Sequence, residues 1–287
     1  GRRAGAREGW MRSAAVGARA AVCFLMSAHY EAAQLASLEA EAAQHGDLLF
    51  LQEHETPAIL KRPTRYSNFT KLGRGMPTFK QFAFFQHAAR LLPNVPFVGK
   101  LDDDSALNPP VLLGMLEHMT CKERLFVGSI NWASVVPRAV DTGVRLDRCG
   151  FGWGMVPSLT NYGSSYGVRG SRSFFPACDG IGAPPPFPYA MGAGYIFSSA
   201  LLKWAATDPS VVGWIEAARG PDREALQWQK FEDTSTGYWL TYSPQPVEYV
   251  DIGAWIHDMV RRAPRPQHLR SPAHPKRQLH LHLLHLH

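Results

Sequence analysis

Asp102, Asp103 and Asp104 stand together at the end of the apolar run Phe97-Val98-Gly99-Lys100-Leu101. Three adjacent carboxylates repel one another at neutral pH, and none should be fully buried without partners. A divalent cation at the end of a strand would remove that conflict. In an extended backbone Asp102 and Asp104 point to the same side. A hard cation such as Mn2+ or Mg2+ accepts such oxygens and often keeps substrate phosphates as further ligands. The plainer alternative is a solvated acidic turn that caps the next helix. Glu232-Asp233 is a second acidic focus, followed by Thr234-Ser235-Thr236-Gly237 and an apolar helical start. Asp233 reads there as a helix cap or as a general base near a metal–phosphate centre. His257 reads as a metal ligand or as a solitary structural histidine.

The elements that must position these groups follow an α/β pattern. Residues 21–26 read as a short buried strand, Glu31 to His45 as an alanine-rich helix ended by Gly46, and Asp47 to Leu51 as a second strand. That order suggests a crossover unit in a mostly parallel central sheet flanked by helices. Phe79 to Leu92 is a second helix, closed by Pro93 and Pro96 before the strand that leads to the acids. A helix from Val111 and a strand at Leu125–Gly128 follow. The acids then lie at the carboxyl end of a strand, where open α/β sheets bind ligands.

The stretch from Ser129 to Pro188 is rich in glycine, proline and aromatics, and predicts antiparallel pieces and loops lining a groove. Its rings suit a sugar face or a peripheral core. Gly192 and Gly194 permit either close approach of a substrate or a tight turn before a short apolar run. A helix begins near Ser199, and Val247 to Ile252 reads as a further strand.

At 287 residues the chain can bury a substantial core, and its +6 formal charge is concentrated at the two ends. No basic–aromatic rhythm or finger spacing points to nucleic acid. No apolar stretch reaches membrane-span length. The chain opens on glycine, so a catalytic domain over residues 1–261 lacking upstream sequence is expected, with a Pro/His-rich, disordered tail over 262–287. The alternating His280, His282, His285 and His287 could adsorb metal but have no closed geometry. Cys23, Cys121, Cys149 and Cys178 fit no zinc spacing and could be paired or free. Asn68-Phe69-Thr70 is a formal glycosylation acceptor.

Taken in order, several blocks resemble the β-1,3-galactosyltransferase-like family of Golgi glycosyltransferases. Arg2-Arg3, Arg7 and Trp10 resemble its opening block, Gly46-Asp47-Leu48-Leu49 its next strand, and Tyr66-Ser67-Asn68-Phe69-Thr70-Lys71 a later segment. Lys100-Leu101-Asp102-Asp103-Asp104 with Asn108 is the most specific match. Pro188-Tyr189 with Gly192, Gly194, Tyr195 and Ser198 resembles the donor-side glycine block, and Glu232-Asp233 with Gly237 the late acidic block. The family's usual cysteine before the glycine block is replaced by Ala190-Met191.

The resemblance implies a GT-A-like α/β domain that uses Mn2+ and a UDP-sugar. It makes Asp104 the main metal ligand, joined by Asp102 and His257, and Asp233 the base that activates the acceptor hydroxyl. It assigns donor binding to Asp102, Asp103, Lys100, Arg7, Gly192 and Gly194. The implied reaction is inverting transfer of galactose from UDP-galactose to a glycan or glycoprotein acceptor, giving a β-linked, β-1,3 product. It also implies the Golgi lumen and a type II membrane anchor outside this chain. UDP-N-acetylglucosamine-dependent transfer is the runner-up, and a catalytically weak glycan-binding homologue is the non-enzyme alternative. A phosphoryl transferase is disfavoured, since the chain has no G-x-x-x-x-G-K-[ST] loop.

Overall fold

The computed structural model describes residues 1–53, 77–133, 136–137, 146–147, 151–152, 187–219, 232–252 and 256–258. Side chains of residues 132–133, 136–137, 146–147, 151–152 and 256–258 are not described. The 66–71 block with its glycosylation acceptor, most of the aromatic stretch, Cys149, Cys178 and the 262–287 tail lie outside the described residues.

Helix α1 (Arg2–Glu8), a 3-10 turn at Trp10–Arg12 and the short α2 (Ala15–Ala18) lead into β1 (Phe24–Ser27). The expected crossover is present, though as a two-stranded sheet of its own and not within the central sheet: α3 (Ala32–His45) links β1 to β2 (Leu48–Leu51), and the two strands pair in parallel with Phe24 opposite Leu48. Gly46 ends α3 in the left-handed region at φ 67°, its N–H donating to the Ala42 carbonyl. Cys23 and Cys121 are free and exposed.

Helix α4 (Pro77–Leu91) precedes β3 (Phe97–Leu101), β4 (Ser105–Leu107) and α5 (Pro109–Glu117). Asn108 caps α5 by accepting from the Val111 N–H, and the following prolines occupy first-turn positions that need no donor. Then come β5 (Leu125–Ala133), the short strands β6 (Val136–Pro137), β7 (Leu146–Asp147) and β8 (Phe151–Gly152), and β9 (Phe187–Ser198). Helices α6 (Ser199–Thr207), α7 (Pro209–Arg219) and α8 (Glu232–Leu240) precede β10 (Glu248–Asp251) and β11 (Ile256–Asp258).

The expectation of a mostly parallel central sheet is corrected. The largest sheet has the order β10-β5-β9-β3 with β8 against β5, and only the β10–β5 pair is parallel. Strands β3, β5 and β10 all run one way, as crossover connections require, but β9 inserts between β3 and β5 in the opposite direction. A long connection before β9 leaves its direction free, whereas short helical crossovers do not. The stretch expected to be a turn with a brief apolar run is thus one twelve-residue strand at the centre of the sheet. Gly192 and Gly194 lie within it.

The core forms where α4, α6, α7 and α8 cover this sheet. Phe82 meets Trp239 edge-on at 5.7 Å, Phe85 meets Phe197 at 5.1 Å, and Trp214 meets Trp239 at 5.5 Å. Phe126, Phe197 and Trp239 are wholly buried. Helix α8 lies directly on β9 because Gly237 has no side chain. A Cβ there would sit 2.7 Å from the Pro188 carbonyl oxygen and 2.8 Å from the Tyr189 Cα. Backbone cannot yield as a flexible side chain can. Gly237→Ala is therefore expected to cost about 3 kcal/mol, the upper part of the overpacking range. A denaturant melt would show it as a lower midpoint at unchanged slope; a wild-type midpoint would mean that α8 can slide off β9 freely.

Candidate active site

Lys100, next to last in β3, gathers the site. Its ammonium donates to the Gly192 carbonyl oxygen at 2.7 Å and to Glu232 Oε1 at 3.2 Å, and it makes a very short bond to Asp102 Oδ1. The Tyr195 ring lies 5.7 Å away. One cation thus ties together the strand that carries the acids, the glycine-bearing strand β9 and the first turn of α8. A Cβ on Gly192 would lie 3.2 Å from Glu232 Oε1, 3.4 Å from Asp102 Oδ2 and 3.6 Å from Lys100 Nζ. The missing side chain leaves room for these three groups to converge. Burial works against the charge on Lys100, but Glu232 and Asp102 outweigh it and hold the ammonium more firmly protonated than usual. For Asp102 burial raises the carboxyl, and Lys100 only partly opposes it.

The acids occupy a turn rather than a continuation of the strand. The Asp102 N–H donates to the Ala193 carbonyl at 3.2 Å, and the Ser105 N–H donates back to the Asp102 carbonyl at 3.1 Å. Asp102 and Asp104 are therefore placed by a turn, and the alternation expected of extended backbone does not apply. Asp103 and Asp104 are exposed, and Arg2 reaches them at 2.6 and 3.5 Å. Strand β4, immediately after the turn, pairs antiparallel with β11, which sets His257 opposite Ala106. The backbone of the expected histidine ligand is thus paired with the residue two positions after Asp104.

Asp233 is in the first turn of α8, where its Oδ1 accepts from the Thr234 N–H at 2.7 Å and from the Thr234 hydroxyl at 3.1 Å. Burial, then the charge of Glu232, raises its carboxyl from the ordinary range to about 7, against the bonds from Thr234 and the pull of Lys100. A carboxylate poised near neutrality suits proton transfer at working pH.

Arg7 is placed elsewhere. Its guanidinium holds Asp47 through two bonds of 2.7 Å, reaches Glu41 at 2.8 Å and lies over the Phe24 ring at 5.1 Å. It fastens α1 to α3 and to the start of β2. Beside it an open cleft of about 390 Å³ runs from Arg7, Arg3 and His45 to Arg2 and Asp103 at the acidic turn.

Lys100, Asp102, Gly192 and Glu232 are thus in mutual contact, Asp233 is their neighbour on α8, and Gly194 pairs with Leu101 in the same ladder. Asp103 and Asp104 face Arg2, and Arg7 stands at the far end of the cleft. Glu232 was absent from the expected set, although it directly precedes Asp233. Gln81, Tyr195 and Thr236 form a buried polar group behind the first turn of α8. The available signal for Gln81 was a polar residue on a helix face of phenylalanines.

Among the described residues no three His, Cys, Asp or Glu side chains form a metal cluster. The donor chemistry at the turn nevertheless fits a hard cation: two carboxylates on one short turn, with substrate oxygens able to supply further ligands. The two arginine-paired acids show that this turn attracts positive charge.

A mixed α/β fold with an acidic turn at a strand end, tied through Lys100 to the helix turn that carries a carboxylate held near neutrality, makes a candidate transferase site. The family comparison gives the class a name. Residues 1–208 match the galactosyltransferase family, and the chain belongs to that family of glycosyltransferase enzymes. The matched span includes the acidic turn, Gly192 and Gly194, and ends before Asp233 and His257. Over 104 residues the chain is 33% identical to the mouse (Mus musculus) UDP-GlcNAc:betaGal beta-1,3-N-acetylglucosaminyltransferase 7. That similarity covers 36% of this chain and 26% of the mouse protein.

Proposed function

We propose that this chain transfers galactose from UDP-galactose to a hydroxyl of a glycan or glycoprotein, with inversion, to give a β-1,3-linked product. The observation that carries the reading is the Lys100 clamp, which holds the acidic turn beside the carboxylates that open α8. Asp233 takes the acceptor hydroxyl proton as that oxygen bonds to the anomeric carbon. The bond from that carbon to the diphosphate breaks, and UDP leaves with the electron pair. Asp104, with Asp102 and His257, would hold Mn2+, which when bound offsets the negative charge on the departing diphosphate. Lys100 and Gly192 keep Asp102 aimed at the donor. Asp103, Gly194 and Arg7 line the donor side, with the cleft beside Arg7 taking the nucleotide end; its volume is within the usual range for such ligands.

The name of the mouse relative favours a second reading, in which the transferred sugar is N-acetylglucosamine. The acidic turn does not separate the two donors, because both carry the same diphosphate. Golgi residence, with an anchor supplied outside this chain, belongs to the same proposal. Among the described residues no helix is long and apolar enough to cross a membrane.

Radiolabelled UDP-galactose and UDP-N-acetylglucosamine, offered with a panel of glycan acceptors, test the reading directly. Transfer should require Mn2+, stop with a chelator and return when Mn2+ is restored. Full transfer in the chelator would remove the metal from the reading, and turnover of the N-acetylglucosamine donor alone would replace galactose.

A further inference from the structure

Gln81 sits on a buried helix face beside Thr78, Phe82, Phe85 and Ala88. Placing an amide among these groups is costly unless its donors and acceptor are met. All of its partners lead toward the active site. The Nε2 group donates to the Thr236 hydroxyl oxygen at 2.5 Å and to the Glu232 carbonyl oxygen at 3.3 Å. The Oε1 atom accepts a very short bond from the Tyr195 hydroxyl. Thr236 in turn donates to the same Glu232 carbonyl. Tyr195, Gln81 and Thr236 are each at most 3% exposed.

The network therefore grips the peptide that immediately precedes Asp233. Glu232 is held twice, by its carbonyl from beneath and by its carboxylate from Lys100. Without the lower grip, α8 would keep its packing on β9 and the Lys100–Glu232 pair, but the Glu232 carbonyl would lose its side-chain donors. A helix end is where a chain frays first, because its first N–H groups lack intrahelical partners. Burial holds the Tyr195 phenol well above its usual range, so it stays neutral and remains a donor.

We propose that Gln81, Tyr195 and Thr236 are positioning residues for the Asp233 carboxylate, acting through the Glu232 peptide and touching neither donor nor acceptor. The assignment rests on Asp233 being the base. It differs from a packing role because the partners converge on one peptide rather than spreading over the helix.

The test compares Tyr195→Phe, Thr236→Val, Thr236→Ser and Gln81→Leu in full-length protein, well below each melting temperature. Misplacement of a reacting group by a fraction of an ångström should lower kcat by roughly 10- to 100-fold while the donor KM stays within about twofold. Thr236→Ser keeps the hydroxyl and should restore kcat. Amide exchange of residues 234–237 should quicken in Tyr195→Phe and Thr236→Val and return to normal in Thr236→Ser. Faster exchange with wild-type kcat would overturn the positioning role, as would equal losses in Thr236→Ser and Thr236→Val. If Gln81→Leu does not fold, the two conservative hydroxyl deletions still decide the matter. Wild-type turnover by Asp233→Asn would strike the base assignment instead, a failure visible without any of these variants.

Discussion

Asp233→Asn should lose transfer almost completely and yet unfold less readily than the wild type above neutral pH. Loss of a positioned general base costs roughly 10²- to 10⁴-fold in kcat, while donor affinity should hold because Asp233 does not contact the nucleotide in this reading. The stability effect has the opposite sign. Asp233 is half-buried beside Glu232, and its carboxyl is raised to about 7. The native state therefore binds this proton more tightly than the unfolded chain, whose carboxyl titrates near about 4. The stability contributed by that proton is fully present below about pH 4 and is lost as pH rises through about 7. Asparagine carries no charge to bury, and its Oδ1 can keep both bonds from Thr234. Thermal melts in chelator should show the variant gaining on the wild type between pH 5 and pH 8, with little difference at pH 4. Turnover by the wild type should rise over the same interval as the base becomes ionised. A variant that still transfers sugar, or a melting difference that does not grow with pH, would contradict this account of Asp233.

Lys100→Met carries the second large expectation. Methionine preserves much of the stem volume but leaves Asp102 and Glu232 facing each other without a cation between them. Removing one partner of a buried ion pair costs 3–5 kcal/mol; with Asp102 partly at the surface, the lower end, about 3 kcal/mol, is expected. For a domain of this size that corresponds to roughly 6–12 °C in melting temperature. Lys100→Arg should recover only part of it. A compact ammonium serves the three acceptors around it from one point, whereas a planar guanidinium presents its donors in a fork. Turnover should fall in both variants, since the link between the acidic turn and α8 is weakened. Arginine restoring wild-type melting and turnover would show that charge alone matters and that the convergence on Gly192 does not.

These effects arise because one strand order brings distant segments together. Lys100 and Glu232 are 132 residues apart, and Gln81 and Thr236 are 155 apart. Nothing in local spacing relates them. The α1–α3 connection is similar: Arg3 and Arg7 converge on Glu41, an acid in an otherwise ordinary alanine-rich helix. The resemblance implies a donor role for Arg7, and the fold sets its ion pairs at the rim of the cleft proposed for the nucleotide.

Local chemistry in the chain determined a good deal by itself. Apolar runs and their breakers marked β1, α3, β2, α4, β3, α5 and β10, because these elements are governed by side-chain periodicity and by glycine or proline at their ends. The helix expected from Val111 begins two residues earlier, at Pro109, with Asn108 rather than the acidic turn as its cap. The acidic triplet declared its own need for positive charge. Tertiary structure alone decided that β9 runs against its neighbours, that Gly237 is a contact between α8 and the backbone of that strand, and that Glu232 and Gln81 stand behind Asp233. Strand direction and convergence of remote side chains depend on how long connections close, and that closure has no signature in the residues on either side of it.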